Sequence, residues 1–146
     1  MFYNAIDIAK YIIDYCNKNK RLVSNLKLQK MLYYVWIDYY KKSSFPLFNE
    51  DFCAWTFGPV VPDVYYEFCS YAGSPIIKNF NLEFSNDLEK INEIIDKYMD
   101  KSPYELVQMS HKKDYPWDIV YNRYGNRAII PFSLIVSLEC GNNDIK

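Results

Sequence analysis

The sequence predicts a mainly α-helical chain: one compact multi-helix domain with a short two-stranded β ribbon. Three observations carry this prediction. Apolar residues recur at three- and four-residue spacing along most of the chain, as in amphipathic helices. Helix-start chemistry precedes those runs, most clearly at Ser102-Pro103-Tyr104-Glu105, where a capping box coincides with proline at the first helical position. Only Asp51 to Phe57 alternates as a strand does. The short β-branched stretch Pro75-Ile76-Ile77 is its expected partner, and a ribbon of two strands needs helices packed on it to be stable.

Composition sets the scale. A chain of 146 residues, half of them hydrophobic and 18% aromatic, can bury a substantial core. Fifteen tyrosines supply packing groups with polar tips. Aromatic abundance favours a protein interface, but AT-rich coding would also enrich Tyr, Asn, Lys and Ile, and composition does not separate the two. Seventeen basic and eighteen acidic side chains leave a net charge of −1, with the cations in small groups separated by acids. That argues against DNA binding and against an anionic membrane surface. The start carries no signal-peptide pattern and no apolar run reaches membrane-spanning length; a cytoplasmic protein is expected. Cys16, Cys53, Cys69 and Cys140 are far apart in apolar contexts, which predicts buried free thiols and no metal.

Taken in order, Ala5, Ile8, Ala9, Ile12 and Cys16 mark a first helix over Asn4 to Lys18, with Asn4 as its N-cap. Ser24 caps a longer helix over Asn25 to about Lys41. Leu28, Met31, Leu32, Val35 and Tyr39 form its stripe, but Leu26, Tyr33, Tyr34 and Ile37 make it apolar nearly all round. Such a helix is central to a fold or meets a partner on one face, and the central place is expected. Gln29 lies beside Tyr33 and Trp36 and needs a hydrogen-bond partner if buried; it is expected to tie the helix to a nearby loop.

The next landmark is Ala54-Trp55-Thr56-Phe57-Gly58-Pro59-Val60-Val61-Pro62-Asp63. Gly58 can adopt backbone angles closed to other residues, and Pro59 biases it away from α. Pro62 suits the first turn of a helix, and Asp63 complements its positive end. The stretch reads as a corner between a strand and a helix that stops near Gly73. A polar connection over Asn81 to Asn86 leads to an amphipathic helix marked by Leu88, Ile91, Ile95 and Tyr98. The capping box at Ser102 opens a helix ending near His111, Pro116-Trp117 opens another that Gly125 stops, and Phe132 to Cys140 reads as the last. Residues 1–141 are expected to form the domain and 142–146 a short polar tail.

Nothing in this inventory assembles a catalytic centre. The single histidine, His111, could pair with Cys53 or Cys69 as a nucleophile, but neither cysteine sits on a turn that would expose it. Phosphate loops, dinucleotide fingerprints and metal clusters are absent. A non-enzymatic protein with no cofactor is expected.

Three stretches in order carry a family resemblance. They are Ser24-Asn25-Leu26-Lys27-Leu28-Gln29-Lys30-Met31-Leu32-Tyr33-Tyr34, then Ala54-Trp55 through Gly58-Pro59-Val60-Val61-Pro62-Asp63-Val64-Tyr65, then Leu106-Val107-Gln108-Met109-Ser110-His111 with Pro116-Trp117. Together they resemble the Panacea domain, the SocA-type antitoxin family also known as GepA-like phage-associated proteins. The resemblance implies a bacterial or phage protein encoded beside a small toxin, which it neutralises by direct binding. In one branch of the family the antitoxin also presents the toxin to a AAA+ protease. No appended degron or DNA-binding module is expected after the last helix, so binding is expected ahead of adaptor activity. An alternative role is inhibition of a host defence or regulatory protein by a mobile-element protein. Trp55, Phe57, Gly58, Pro59, Pro62, Tyr65 and Trp117 fall on the family motif, with Ser24, Gln29, Gly58, Pro59, Pro62, Ser102, Pro116 and Trp117 expected to be structural. Lys27, Lys30 and Tyr34, on one expected exposed helix face, are the candidate partner contacts, with Trp55, Phe57 and Tyr65.

Overall fold

The computed structural model describes residues 3–82 and 86–141; the expected polar tail and part of the 81–86 connection lie outside them. Its elements are α1 (Ala5–Lys18), α2 (Asn25–Ser43), β1 (Phe52–Trp55), β2 (Gly58–Val60), α3 (Pro62–Glu67), α4 (Asn92–Met99), α5 (Pro103–Ser110), α6 (Pro116–Tyr124), β3 (Ala128–Ile130) and α7 (Phe132–Ile135). A 3-10 turn over Cys69–Tyr71 follows α3, and another over Asn86–Ile91 leads into α4. The last helix instead widens, passing from α7 into a π-helical turn over Val136–Cys140. A helical fold with a small antiparallel sheet is thus what the periodicity led us to expect.

Local chemistry sets the boundaries. The Asn4 side chain accepts from the Ile6 N–H at 2.8 Å and Ser24 Oγ from the Lys27 N–H at 3.2 Å, satisfying donors that a helix start leaves free. At α5 the capping box is reciprocal: Ser102 Oγ accepts from Glu105 N and Glu105 Oε1 accepts from Ser102 N, each at 3.1 Å. The first turn of α1 is also held from outside, with the Ala5 N–H donating to Glu50 Oε2 at 2.9 Å.

Helix α2 is the axis of the fold. Its 19 residues span about 28 Å, and every residue from Lys27 to Tyr39 is buried, charged ones included. Elements α1, α3, α4, α5, β2 and the π-helical turn all pack on it. Trp36 is stacked on Phe132 with ring centres 5.0 Å apart, and its Nε1 donates to the Phe48 carbonyl at 3.0 Å. Leu47 and Phe48 are buried from the loop after α2, whereas Phe45 is exposed.

The sheet corrects the expected ribbon. It has three strands in the order β2-β1-β3, all antiparallel. Trp55 pairs with Gly58 and Cys53 with Val60 across a hairpin, and Phe52 pairs with Ile130 on the other side. The stretch Pro75-Ile76-Ile77 is no strand; Ile76 is buried and its N–H donates to Val23 O at 2.8 Å. The partner is the segment that a two-residue turn at Thr56-Phe57 returns, which has the shortest loop to close. Pro59 is tolerated because β2 is an edge strand, where its missing N–H costs no ladder bond. The cysteines also divide differently from expectation: Cys16 and Cys140 are buried, Cys53 is half-buried and Cys69 is exposed.

Because the α5 capping box satisfies two helix-start donors, Ser102→Ala is expected to cost about 1 kcal/mol. Urea unfolding checks this as a lowered midpoint with an unchanged slope.

Candidate functional site

The first turns of α2 present a row of polar side chains to the hairpin. Asn25 and Gln29 are one helical turn apart and bond each other, Gln29 Nε2 donating to Asn25 Oδ1 at 3.0 Å. Gln29 Oε1 accepts the Val61 N–H at 3.0 Å, Asn25 Nδ2 donates to Tyr65 O at 3.1 Å, and Lys30 Nζ donates to Pro59 O at 2.9 Å. Three buried side chains therefore fix the backbone at 59, 61 and 65, where β2 ends and α3 begins. Gln29 ties α2 to the connection before Pro62, which stands at the start of α3 with Asp63 in its first turn.

This geometry corrects the expected exposed face on α2. Lys27, Lys30 and Tyr34 share a side of the helix, but all three are buried, because α4, α5 and β2 cover that side. Lys27 Nζ donates to the Met99 carbonyl at the end of α4. The Tyr34 ring lies edge-on to Tyr33 and stacked on Tyr98, with centres 5.2 and 5.4 Å apart. Lys30 is 0% exposed and has no carboxylate within ion-pair distance among the described residues. Burial alone pushes its amine down to about 7, since desolvation disfavours the charged form. The sequence pattern could not distinguish these lysines from solvated ones.

The hairpin lies close over this floor. Gly58 has φ +119, and a Cβ there would sit 2.6 Å from Ser110 Oγ and 2.8 Å from Lys30 Cε. Both backbone angle and space demand glycine. From α6, Trp117 is buried and its Nε1 donates to Trp55 O at 2.7 Å, while Pro116 occupies the first turn. His111, the C-cap of α5, is stacked on Trp117 with ring centres 3.8 Å apart. Its Nε2 is buried without a hydrogen-bond partner among the described residues, and desolvation, with Lys30 nearby, lowers its pKa.

Above the floor, the hairpin tip and its neighbours face outward. Phe57 is 62% exposed, Tyr66 53% and Leu26 38%. A cleft of about 410 Å³ is bounded by Leu26, Trp55, Phe57, Tyr65 and Arg127. The Trp55 ring, half-buried, is edge-on to Tyr65 at 5.0 Å. The Arg127 guanidinium lies over its face, 4.3 Å from the ring centre, in cation–π contact. Arg127 Nη1 donates to Tyr66 Oη at 3.2 Å. A larger hollow of about 800 Å³ lies beside α1. Its polar walls are partly satisfied within the fold, with Tyr11 Oη donating to Asn92 Oδ1 at 2.7 Å and Asp14 Oδ1 accepting from Phe80 N at 2.8 Å. Of the expected contacts, Trp55, Phe57 and Tyr65 converge on the cleft. Sequence reasoning missed Leu26 and Arg127 as its rim; a Gly-Asn turn signal at 125–126 marked only the turn that delivers Arg127.

Comparison with known proteins bears on this geometry. Residues 28–118 match the family described as antitoxin SocA-like, Panacea domain. The chain is 30% identical over 138 residues to antitoxin SocA of Caulobacter vibrioides (strain NA1000 / CB15N), covering 84% of this chain and 72% of that protein. No solved structure matches.

Two substitutions test the floor. Gly58→Ala is expected to destabilise by about 2–4 kcal/mol, through a strained φ and the clash with Ser110 and Lys30; thermal unfolding reads it. Lys30 has a folded pKa near 7, below its unfolded value, so between those values the unfolded chain binds the extra proton. Stability should therefore rise with pH, by about 2 kcal/mol from pH 7 to 9. Lys27 adds the same sign, whereas Cys16, pushed up from 9.0 to about 12, opposes it only above that range. Lys30→Met is expected to lose most of the slope in urea titrations.

Proposed function

The chain belongs to the SocA-like antitoxin family of the Panacea domain, and we propose that it neutralises a toxin protein by binding it directly, without catalysis. The observation that carries this reading is the pair of exposed side chains Leu26 and Phe57 on the cleft, with exposed Tyr66 bonded to Arg127 beside it. Protein interfaces favour aromatic and arginine anchors set around a desolvated centre, and this cluster stands on a floor whose backbone is fixed by buried hydrogen bonds. A preformed surface loses less entropy on binding than one that must order itself.

The partner in this reading is the protein encoded beside this chain, met in the cytoplasm. No helix among the described residues is long and apolar enough to cross a membrane. Delivery of the bound toxin to a AAA+ protease is a further step of the same reading. It adds a separate observable, faster loss of the toxin in cells when this chain is present.

Co-expression with the product of the adjacent gene is expected to restore growth and yield a stable complex. Leu26→Ala and Phe57→Ala should each weaken that complex at least tenfold, about 1.4 kcal/mol or more, with the unfolding midpoint nearly unchanged because both side chains are exposed. A harmless neighbour that forms no complex would remove the reading.

A further inference from the structure

The polar side of the cleft is chemically one-sided. Its standing charge is the Arg127 guanidinium at the rim, above the buried Lys30 amine, and no aspartate or glutamate among the described residues lines it. Arg127 is exposed, and no carboxylate lies within ion-pair distance of it among the described residues. Its guanidinium lies over Trp55, and one of its nitrogens bonds the Tyr66 hydroxyl. A guanidinium has five N–H donors in a planar fork. Stacked in this way it is held at a fixed angle with donors left over, the arrangement that suits two-point recognition of a carboxylate.

The backbone supports the same assignment. Arg127 has φ +76, a left-handed conformation that costs a non-glycine residue stability. Its N–H donates to Ala54 O at 2.6 Å, which locks the residue against β1, beside Trp55. Beyond the guanidinium the rim offers two apolar side chains, Leu26 on one side and Phe57 on the hairpin tip, with the polar Thr56 and Asn126 beside them.

We propose that the cleft takes a toxin segment in which an aspartate or glutamate neighbours an aromatic or branched aliphatic residue, the carboxylate bonding Arg127 and the apolar side chain seated between Leu26 and Phe57. The inference rests on the toxin-binding reading and names the partner chemistry that reading leaves open. The aromatic wall would also stack nucleobases. The favoured occupant is nevertheless a protein segment, because the chain carries a net charge of −1 and the cleft offers one exposed guanidinium rather than a cationic track.

The test uses the full chain and a synthetic probe that does not depend on identifying the toxin. Acetyl-Leu-Phe-Asp-Glu-amide is titrated while the Trp55 indole and Arg127 side-chain N–H resonances are followed by NMR, beside the Asn-Gln analogue and an oligothymidylate of eight nucleotides. The acidic peptide is expected to shift both resonances and bind at least tenfold more tightly than its neutral analogue. Arg127→Gln should abolish that preference, and Arg127→Lys, which keeps the charge but not the fork, should restore it only in part. Equal binding of both peptides, or stronger shifts from the oligonucleotide, overturns the proposal. In the complex with the adjacent-gene product, Arg127→Glu is expected to weaken affinity at least tenfold. A wild-type complex unaffected by Arg127→Glu refutes the cleft chemistry and leaves the antitoxin reading standing. A cleft that selects the acidic peptide in a chain that neutralises no toxin does the reverse.

Discussion

Polar groups on a helix buried from every side cannot turn to water, and α2 is such a helix. Burying an amide or an amine without a partner costs on the order of 1–3 kcal/mol, so Asn25, Gln29 and Lys30 must find acceptors and donors inside the fold. They find them in the backbone at Tyr65, Val61 and Pro59. The hairpin and the start of α3 are thereby held to the central helix by the need to satisfy that helix. Apolar packing brings the segments together, and the buried polar row fixes how they meet.

That constraint explains why the cleft has a rigid floor and an exposed rim. Gly58 must pass closely over Lys30 and Ser110, and the hairpin cannot lift without breaking the bond from Lys30 Nζ to Pro59 O. Trp117 reaches the same strand from the other side through Trp55 O, and the stack of His111, Trp117 and Tyr121 closes that flank. With β1 pinned on both sides, the tip residues Thr56 and Phe57 project outward. Arg127, delivered by the turn before β3, completes the rim by lying on the Trp55 face. The motif stretch from Trp55 to Tyr65 is therefore a two-layer device, with Gly58, Pro59 and Pro62 shaping backbone below and Phe57 left for a partner above.

The sequence stated the local features plainly. The caps at Asn4, Ser24 and Ser102, the proline starts at Pro62 and Pro116, and the all-round apolar character of α2 each follow from chemistry within a few residues. Pro59 hid β2, since proline argues against a strand unless the strand is known to be an edge. A three-residue β3 is too short for alternation to register. The lysines misled most. Lys27 and Lys30 look like solvated helix charges, and only the placement of the α4 terminus and the hairpin supplies the carbonyls that accept them.

What the sequence determined by itself was the helical class, most helix ends, the centrality of α2 and the three family stretches, because these depend on periodicity and neighbouring residues. Tertiary structure decided which side of α2 is covered, which segments pair with β1 and which aromatic side chains remain in solvent. It alone brought Leu26, Phe57 and Arg127 to one rim from three separate parts of the chain. The physical reason is that burial and charge satisfaction belong to contacts between distant segments: a lysine is a surface charge or a buried donor according to what folds over it.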